Sequence, residues 1–174
     1  MTWSRPSHSH GHAALRRGRH SQAGQIYVIT FVTHRRRRLF ASFALGCTAA
    51  RALTDPINWR HARLCAWVLM PDHWHGLIEL GDGADLSKIV QELKANSARR
   101  LHMKHPGMGR VWAKSFHDRA LRCGDDRVVA ARYLVMNPVR AGLTRRIREY
   151  SFWDAIWLQE QVATCVAPTS TEAD

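Results

Sequence analysis

The stretch RLCAWVLMPDHWHGLIEL, residues 63–80, constrains the fold more than any other part of the sequence. Two runs rich in apolar, β-branched and aromatic residues, 63–70 and 73–80, are separated only by Pro71 and Asp72. Proline presets the backbone of a tight turn, and aspartate is a frequent neighbour of it there. The segment therefore predicts a β-hairpin of two adjacent antiparallel strands.

Strand and helix patterns on either side of the hairpin indicate the fold class. They predict strands at 25–32, 63–70, 73–80 and 110–117 and helices at 39–54, 85–104 and 125–137. The order β-α-β-β-α-β, followed by one more helix, is that of a ferredoxin-like split βαβ fold. We therefore predict an α+β protein with a four-stranded antiparallel sheet and two helices on one face. An extra C-terminal helix, which bears Tyr133, is expected near the other face.

Composition divides the chain into one folded domain and two peripheral segments. The 174 residues suffice for a single domain with a sizeable core. Residues 1–24 are rich in Ser, His, Gly and Arg, so we expect a disordered basic arm there. The folded domain is predicted at 25–143. Residues 144–174 are predicted to form a tail that docks through its aromatic side chains.

The balance of charge points to a polyanionic partner. Lysine and arginine total 26 against 14 acidic residues, which gives a formal net charge of +12, and the pI is about 10.7. Nucleic acid is the partner that this charge favours. No apolar run is long enough to span a bilayer, so no membrane partner is expected. The four cysteines form no CxxC pair, which indicates reduced thiols in a cytoplasmic protein rather than a zinc ribbon or a disulfide framework.

Two histidines in the second arm of the hairpin are candidate metal ligands. Residues i and i+2 of a strand point to the same side, so His73 and His75 share one face while Trp74 takes the other. Two imidazoles on one face can bind a divalent ion, although such pairs also serve simply as hydrogen-bonding partners. A catalytic ion needs a further ligand and an open position. Asn137 can add an amide oxygen, with Tyr133 one turn earlier on the same helix face, provided that the last turn before the next proline stays helical.

Three motifs carry a resemblance to a known family. They are MPDHWHGLIEL at 70–80, FHDRALR at 116–122 and YLVMNPVRAGL at 133–143. In this order they resemble the motifs of the single-tyrosine transposases of the HUH superfamily. The closest resemblance is to the REP-associated tyrosine transposases, which bacterial chromosomes encode as single genes. It extends from about residue 25 to residue 143.

The resemblance implies a role for each matching residue. His73 and His75 would bind a divalent metal, Mg²⁺ or Mn²⁺, with Asn137 as the third ligand, and Tyr133 would be the nucleophile. The implied reaction is the cleavage and rejoining of single-stranded DNA through a 5′-phosphotyrosine at hairpins of palindromic repeats. It would take place in the bacterial cytoplasm, in association with the nucleoid. Relatives include monomers and dimers, so the oligomeric state stays open.

The sequence departs from the family pattern at three positions. A larger apolar residue is common in place of Gly76, an isoleucine in place of Leu134 and a valine in place of Thr144. None of these differences removes a candidate catalytic group. They leave the efficiency and the sequence preference of the reaction open.

Basic and aromatic residues around the sheet are candidates for DNA contacts. The predicted phosphate-binding residues are Arg35, Arg36, Arg37, Arg38, Lys94, Arg119, Arg122 and Arg140. Trp112 and His117 are predicted to stack on bases, with core packing as the alternative for the tryptophan. Two other functions stay open at this point. One is a non-catalytic nucleic-acid-binding module on the same fold, and the other is a metal-dependent hydrolase that forms no covalent adduct.

Overall fold

The computed structural model describes residues 23–122 and 126–157. Its strands and helices, in chain order, are β1 (Ile26–Val32), α1 (Phe43–Leu53), β2 (Ala62–Met70), β3 (His73–Leu80), α2 (Leu86–Lys104), β4 (His117–Ala120), α3 (Arg127–Val135), α4 (Asn137–Arg140) and β5 (Trp153–Ala155). Almost all of the predicted N-terminal arm and the end of the predicted tail lie outside the described residues.

The described strands form one antiparallel sheet in the order β4-β1-β3-β2-β5. Strands β2 and β3 are joined by Pro71 and Asp72 alone, as the sequence predicts for the hairpin. Strand β1 pairs with the other edge of β3, so β3 is the central strand. The first four strands have the order of a split βαβ fold, and the predicted α+β class is confirmed.

The predicted fourth strand at 110–117 is wrong in position. The strand that pairs with β1 is β4, a short polar segment at the sheet edge. Within 110–116, Trp112 makes only an isolated bridge to Thr33. Trp112 lies in the core, against the edge of the Phe31 ring at 4.7 Å between centroids. Its apolar neighbourhood resembles a strand in sequence because it is buried, whereas the edge strand lacks that apolar signal.

A fifth strand corrects the predicted count of four. Strand β5 pairs antiparallel with the free edge of β2, with Val68 opposite Trp153. The preceding Phe152 is 8% exposed and belongs to the main core cluster. Trp153 and Trp157 pack at the border of a second cluster. The aromatic residues after position 150 therefore dock by strand pairing as well as by apolar contact.

Helices cover both faces of the sheet. On one face α1 and α2 pack over a cluster that includes Phe31, Trp74 and Ile78. On the other face α3 packs chiefly on β2 and β3. That second cluster includes Leu77 of β3 and Leu134 of α3. Since the side chains of β3 alternate, the strand presents its histidines to the face that carries α3.

Helix α3 begins later and ends earlier than the predicted 125–137. Asp126 caps it by accepting hydrogen bonds from two backbone N–H groups of the first turn. The helix ends at Val135, and a separate short turn, α4, begins at Asn137. Pro138 has no N–H to donate to Leu134 O, and the Asn137 side-chain amide donates to that oxygen instead, at 2.8 Å.

Candidate active site

The imidazoles of His73 and His75 lie side by side at the start of β3. Their ring centroids are 4.6 Å apart and the ring planes are nearly perpendicular, at 86°. Trp74, between them in sequence, is fully buried on the opposite face. The alternation predicted from the sequence therefore brings two imidazoles together on the face that carries α3.

Each imidazole is held through Nδ1 by a different group. His73 Nδ1 lies 2.5 Å from Asp72 Oδ1, and His75 Nδ1 lies 2.7 Å from Thr30 Oγ1. Thr30 stands directly opposite His75 in the β1–β3 register. When Asp72 accepts the Nδ1 proton, the lone pair of that ring is on Nε2, and the same holds for His75 when Thr30 accepts. Each Nε2 atom then carries the lone pair that binding to a metal ion requires.

Asp72, His73, His75 and Thr30 form a hydrogen-bonded ladder, of which His75 and Asp72 differ in their electrostatics. Burial lowers the pKa of His75 to about 4, helped by the charges of His73 and Arg140. The imidazole is therefore neutral at pH 7, as a metal ligand must be. Burial acts to raise the pKa of Asp72, but its hydrogen bonds and ion pairs with His73 and Arg36 outweigh this and hold it below the usual value. Asp72 is thus a charged acceptor for His73.

A strained turn joins the arginine run to this ladder. Arg35 and Arg36 both have left-handed backbone conformations, with φ of 58° and 53°, which cost free energy for residues with a Cβ. Arg36 Nη1 lies 3.3 Å from Asp72 Oδ2. The adjoining Thr33 N donates to Asp72 O at 2.8 Å, and Thr33 Oγ1 donates to Arg37 O at 2.7 Å. These bonds hold the turn against the loop that precedes His73.

A cleft of about 760 Å³ opens between α3 and the β1–β4 side of the sheet. The sheet wall is formed by Val28, Thr30, His75, Arg119 and Leu121, and the helix wall by Asp126, Val129, Ala130, Tyr133, Leu134 and Asn137. The helix residues recur at three- and four-residue spacing, as one face of a helix requires. The cleft brings together His75 from the hairpin and the two polar residues singled out near the end of α3.

Tyr133 is the accessible tyrosine of the three in the chain. Its side chain is 68% exposed on the wall of the cleft. Tyr27 is 7% exposed, within β1. Tyr150 donates its hydroxyl to Leu69 O at 2.7 Å, and burial raises its pKa to about 12. Tyr133 is thus the tyrosine whose side chain is exposed on the wall of the cleft.

Asn137 lines the same cleft and is oriented by its neighbours. Its Nδ2 donates to Leu134 O, and its Oδ1 accepts a hydrogen bond of 2.6 Å from Arg140 Nη2. The second nitrogen of that guanidinium, Nη1, donates to Tyr133 O at 2.6 Å. The guanidinium carbon also lies 3.8 Å from the centroid of the Tyr133 ring. Arg140 therefore contacts both Tyr133 and Asn137 on the helix wall.

The side chains fit a divalent ion by type. Two imidazole nitrogens and one amide oxygen make a mixed N,O donor set, which Mn²⁺ tolerates well and Mg²⁺ less readily. Within residues 23–122 and 126–157 no three His, Cys, Asp or Glu side chains cluster to hold a metal. Asn137, which carries an amide oxygen, lines the same cleft as His75.

The predicted DNA-contact residues fall into several environments. The prediction that Trp112 stacks on a base is wrong. Trp112 is 5% exposed and its Nε1 donates to Ser97 Oγ at 2.9 Å, so it is a core residue. His117 is exposed on β4, opposite Thr30 and hence on the cleft face. Arg119 follows on the same face and lines the cleft.

None of the other predicted cations lines the cleft. Arg35, Arg36, Arg37, Arg38 and Arg122 are exposed. Arg37 Nη2 donates to two backbone oxygens, Met108 O and Arg110 O, and so ties the arginine run to the loop before β4. Lys94 Nζ donates to Lys114 O at 3.0 Å, and burial, with the charge of Arg110, lowers its pKa to about 8. Both residues have a structural contact besides any contact with DNA.

Two residues that hold the histidines are not among the predicted site residues. The sequence predicts Asp72 as a turn residue, although a carboxylate beside a candidate ligand also signals a supporting hydrogen bond. Thr30 carries no local signal, because its role follows from the β1–β3 register. For Arg140 the sequence predicts a phosphate contact alone, because its contacts with Tyr133 and Asn137 depend on the break between α3 and α4.

Comparison with known proteins identifies the family of the chain. A family model described as "Transposase IS200 like" matches residues 21–134, more than half of the chain. The chain belongs to this family. The IS200-like match includes both histidines and Tyr133 and stops before Asn137. The resemblance carried by the three motifs is thereby confirmed at the level of the family.

Two similar proteins define the resemblance further. A REP-associated tyrosine transposase of Escherichia coli K12 is 27% identical over 88 residues, which are 50% of each protein, so the chain spans about half the length of that relative. The solved structure of a REP-associated tyrosine transposase bound to a REP hairpin superposes with a TM-score of 0.61. At 22% identity it covers 90% of both chains and shows the same fold. In the described part of the chain, no helix has the length and apolarity to cross a membrane.

Proposed function

We propose that this protein cleaves and rejoins single-stranded DNA at hairpins of palindromic repeats, through a covalent 5′-phosphotyrosine at Tyr133. The observation that carries the proposal is the exposed Tyr133 side chain on one wall of a cleft whose opposite wall holds His75. A nucleophile must be accessible and must face the groups that stabilise the leaving oxygen. Tyr27 and Tyr150 lack this placement.

The proposed step exchanges one phosphodiester for another. The Tyr133 oxygen attacks phosphorus, the bond from phosphorus to the 3′ oxygen breaks, and the phenolic proton is lost while the released 3′ oxygen gains one. The products are a 5′-phosphotyrosine and a free 3′-hydroxyl. The reverse attack by a 3′-hydroxyl rejoins DNA without an external energy source, because the phosphodiester bond energy is retained.

His73, His75 and Asn137 would hold a divalent ion, Mg²⁺ or Mn²⁺, beside the scissile phosphate. Such an ion supplies Lewis-acid stabilisation of the phosphate oxygens and the leaving group. The chain's own residues prepare the site: Asp72 and Thr30 orient the two imidazoles through Nδ1. Burial keeps His75 neutral, so binding a metal there costs no proton at pH 7.

The path of the DNA is proposed from charge and exposure. Arg119 and His117 border the cleft on β4, and the exposed arginine run at 35–38 borders the ladder beside His73. Phosphates between these two groups of cations would pass Tyr133. The similar protein that was solved with a REP hairpin supports a hairpin as the substrate. We propose that this chain likewise engages a hairpin with unpaired flanking bases.

A denaturing gel tests the proposal directly. The full chain is incubated with Mn²⁺ or Mg²⁺ and a hairpin DNA with single-stranded flanks, labelled on the side that keeps the 5′-phosphate. We expect a labelled protein band that survives SDS. It should disappear with Tyr133→Phe and weaken by about a hundredfold or more with His73→Ala or His75→Ala, the order seen when a transition-state charge loses its stabilisation. Tyr27→Phe, a variant of a tyrosine in β1, is the matched control and should keep the band.

The two rival functions predict different results in the same experiment. A non-catalytic binding module would retard the DNA on a native gel and leave it intact, whether or not Tyr133 is present. A hydrolase would yield cleaved DNA with no label on the protein. Either result, obtained with folded protein, rejects the covalent mechanism.

A further inference from the structure

Arg140 joins the proposed nucleophile to the proposed third metal ligand. One guanidinium nitrogen donates to Asn137 Oδ1 and the other to Tyr133 O, each at 2.6 Å, while the guanidinium carbon stands 3.8 Å from the Tyr133 ring centroid. Asn137 Oδ1 is the amide oxygen that a metal would need. The side chain of Arg140 is therefore hydrogen-bonded to a ligand atom of the proposed site.

We propose that Arg140 makes divalent-metal binding at His73, His75 and Asn137 depend on a bound DNA phosphate. In the free protein the guanidinium rests on Asn137 Oδ1, and in the complex it transfers to a phosphate oxygen and leaves the amide oxygen to the metal. The inference rests on the proposed function, because it assumes that these three residues are the metal ligands. Arg140 acts through Asn137 and Tyr133 and is thus a positioning residue.

Charge provides the physical reason. A guanidinium does not lose its proton in proteins, so its positive charge opposes a divalent cation that approaches the same oxygen. An amide oxygen has two lone pairs and could contact the guanidinium and the metal ion at once. The two positive charges would then still repel each other. A phosphate changes the balance, because it attracts both the guanidinium and the metal ion. Metal and DNA then each raise the affinity for the other by the same factor.

The position of Arg140 allows this transfer. The residue is exposed at the end of α4, so its side chain can turn from Asn137 towards the cleft without disturbing the core. The short turn itself is anchored by the buried Pro138 and by the backbone bond from Arg140 N to Met136 O at 3.0 Å. Asn137 keeps its orientation in both arrangements, because its Nδ2 is bonded to Leu134 O. The amide oxygen therefore remains in place when the guanidinium leaves.

A Mn²⁺ titration followed by electron paramagnetic resonance tests the inference without relying on catalysis. All proteins carry Tyr133→Phe, which removes the attacking hydroxyl and keeps the ring. Affinity for Mn²⁺ is measured with and without a single-stranded oligonucleotide. Without DNA we expect Arg140→Gln, which keeps a donor and loses the charge, to bind Mn²⁺ roughly tenfold more tightly than the parent, the order of one charge removed a few ångströms from the ion in a water-like medium. The gain in Mn²⁺ affinity on adding DNA should be smaller in Arg140→Gln by the same factor.

Two further variants separate charge from damage to the helix end. Arg140→Lys keeps the charge and loses the two-point contact, and its Mn²⁺ affinity without DNA should stay within about threefold of the parent, since the repulsion is retained. Arg132→Gln removes a charge from an exposed position of α3 that does not line the cleft, and it should leave both affinities unchanged. Thermal unfolding of each variant confirms that the proteins compared are folded.

Several outcomes would overturn the inference. Equal or weaker Mn²⁺ binding by Arg140→Gln without DNA, an undiminished effect of DNA in that variant, or the absence of Mn²⁺ binding in every protein would each do so. The failure is distinguishable from failure of the proposed function. If proteins that retain Tyr133 still form the covalent DNA adduct, only the role of Arg140 is rejected, whereas loss of the adduct rejects the function itself.

Discussion

The indole of Trp74 lies across the backbone of Gly76, two residues along β3. A Cβ placed on Gly76 would lie 1.9 Å from the Trp74 Cη2 atom and 2.5 Å from its Cζ3 atom. Trp74 is fully buried and stacks on Phe31, with the ring centroids 4.9 Å apart. The Trp74 side chain thus fills the space that the larger apolar residue, common at position 76 in the family pattern, would occupy. The absence of a side chain at Gly76 is a packing feature beside His75 rather than a defect of the site.

This packing predicts a compensating pair of substitutions. Gly76→Leu alone should destabilise the protein by at least about 3 kcal/mol, because the added atoms overlap a buried ring. In Trp74→Val/Gly76→Leu the loss should be smaller than the sum of the two single losses by more than about 1 kcal/mol, since the residues share one volume. Urea unfolding of the four proteins in the cycle measures this coupling. Additive losses would show that the two positions do not share space. Trp74 Nε1 has no hydrogen-bond partner among the described residues, so Val at 74 leaves no partner unpaired.

A second prediction concerns the groups that hold the histidines. Asp72→Ala should weaken Mn²⁺ binding by about ten- to a hundredfold, because the partner of a ligating imidazole sets its orientation and basicity. Asp72→Asn, which keeps an acceptor and loses the charge, should fall between Asp72→Ala and the parent. Thr30→Val, which removes only the hydroxyl beside His75, should also weaken binding, and Thr30→Ser should restore most of it. Mn²⁺ affinity in the presence of hairpin DNA is the measurement.

The control for this prediction is Thr48→Val. Thr48 Oγ1 donates to Ala44 O within α1, on the other face of the sheet. The same substitution there should change the free energy of unfolding without changing Mn²⁺ affinity. If Thr30→Val and Asp72→Ala reduce stability alone and leave the metal affinity as in the parent, these residues support the fold and not the ligands.

The elements that the sequence predicted well are those whose signals are local. The hairpin follows from Pro71 and Asp72, and α2 follows from the apolar stripe of the predicted helix at 85–104. In the structure Asp85 caps that helix. The sequence does not predict the position of β4, because this exposed edge strand lacks alternating apolar residues. The segment around the buried Trp112 is apolar and therefore resembles a strand in sequence. The strand pairing of β5 depends on a free edge of β2, which only the assembled sheet reveals.

The candidate site shows the same division. The two-residue period of a strand predicts that His73 and His75 share one face. The order of the three motifs, through the family resemblance, links this pair to Tyr133. The geometry of Asn137 depends on how the chain leaves α3 at Pro138, where the side-chain amide replaces a missing backbone donor. The supporting role of Thr30 depends on register across the sheet. Contacts of this kind depend on the tertiary structure and have no local signal in the sequence.

A third prediction concerns pH and the docking of the segment after α4. The folded-state pKa of Tyr150 is raised to about 12 from a usual 10.0, so between those values the folded protein binds more protons than the unfolded chain. The stabilising contribution is full below pH 10 and is lost as the pH rises towards 12. At pH 8 the free energy of unfolding of Tyr150→Phe should be about 1 kcal/mol below that of the parent, because the hydrogen bond to Leu69 O is missing. Between pH 8 and pH 11 that free energy should fall less in Tyr150→Phe than in the parent. Urea unfolding at pH 8 and pH 11 tests this. A parallel fall in both proteins would mean that the hydroxyl titrates normally.

The last prediction separates the stability of α3 from its part in the reaction. Asp126 and Asp85 cap α3 and α2 in the same way, each accepting hydrogen bonds of 2.7 and 3.2 Å from two backbone N–H groups. Alanine at either position should lower the free energy of unfolding by about 1 kcal/mol, the usual loss when a helix cap is removed. Only α3 carries Tyr133, so Asp126→Ala should also slow formation of the covalent DNA adduct, while Asp85→Ala should leave its rate unchanged. Asp126→Asn retains a good cap and should restore most of the rate. If Asp126→Ala and Asp85→Ala slow the adduct equally, the effect reflects global stability, and the start of α3 has no particular role in placing the nucleophile.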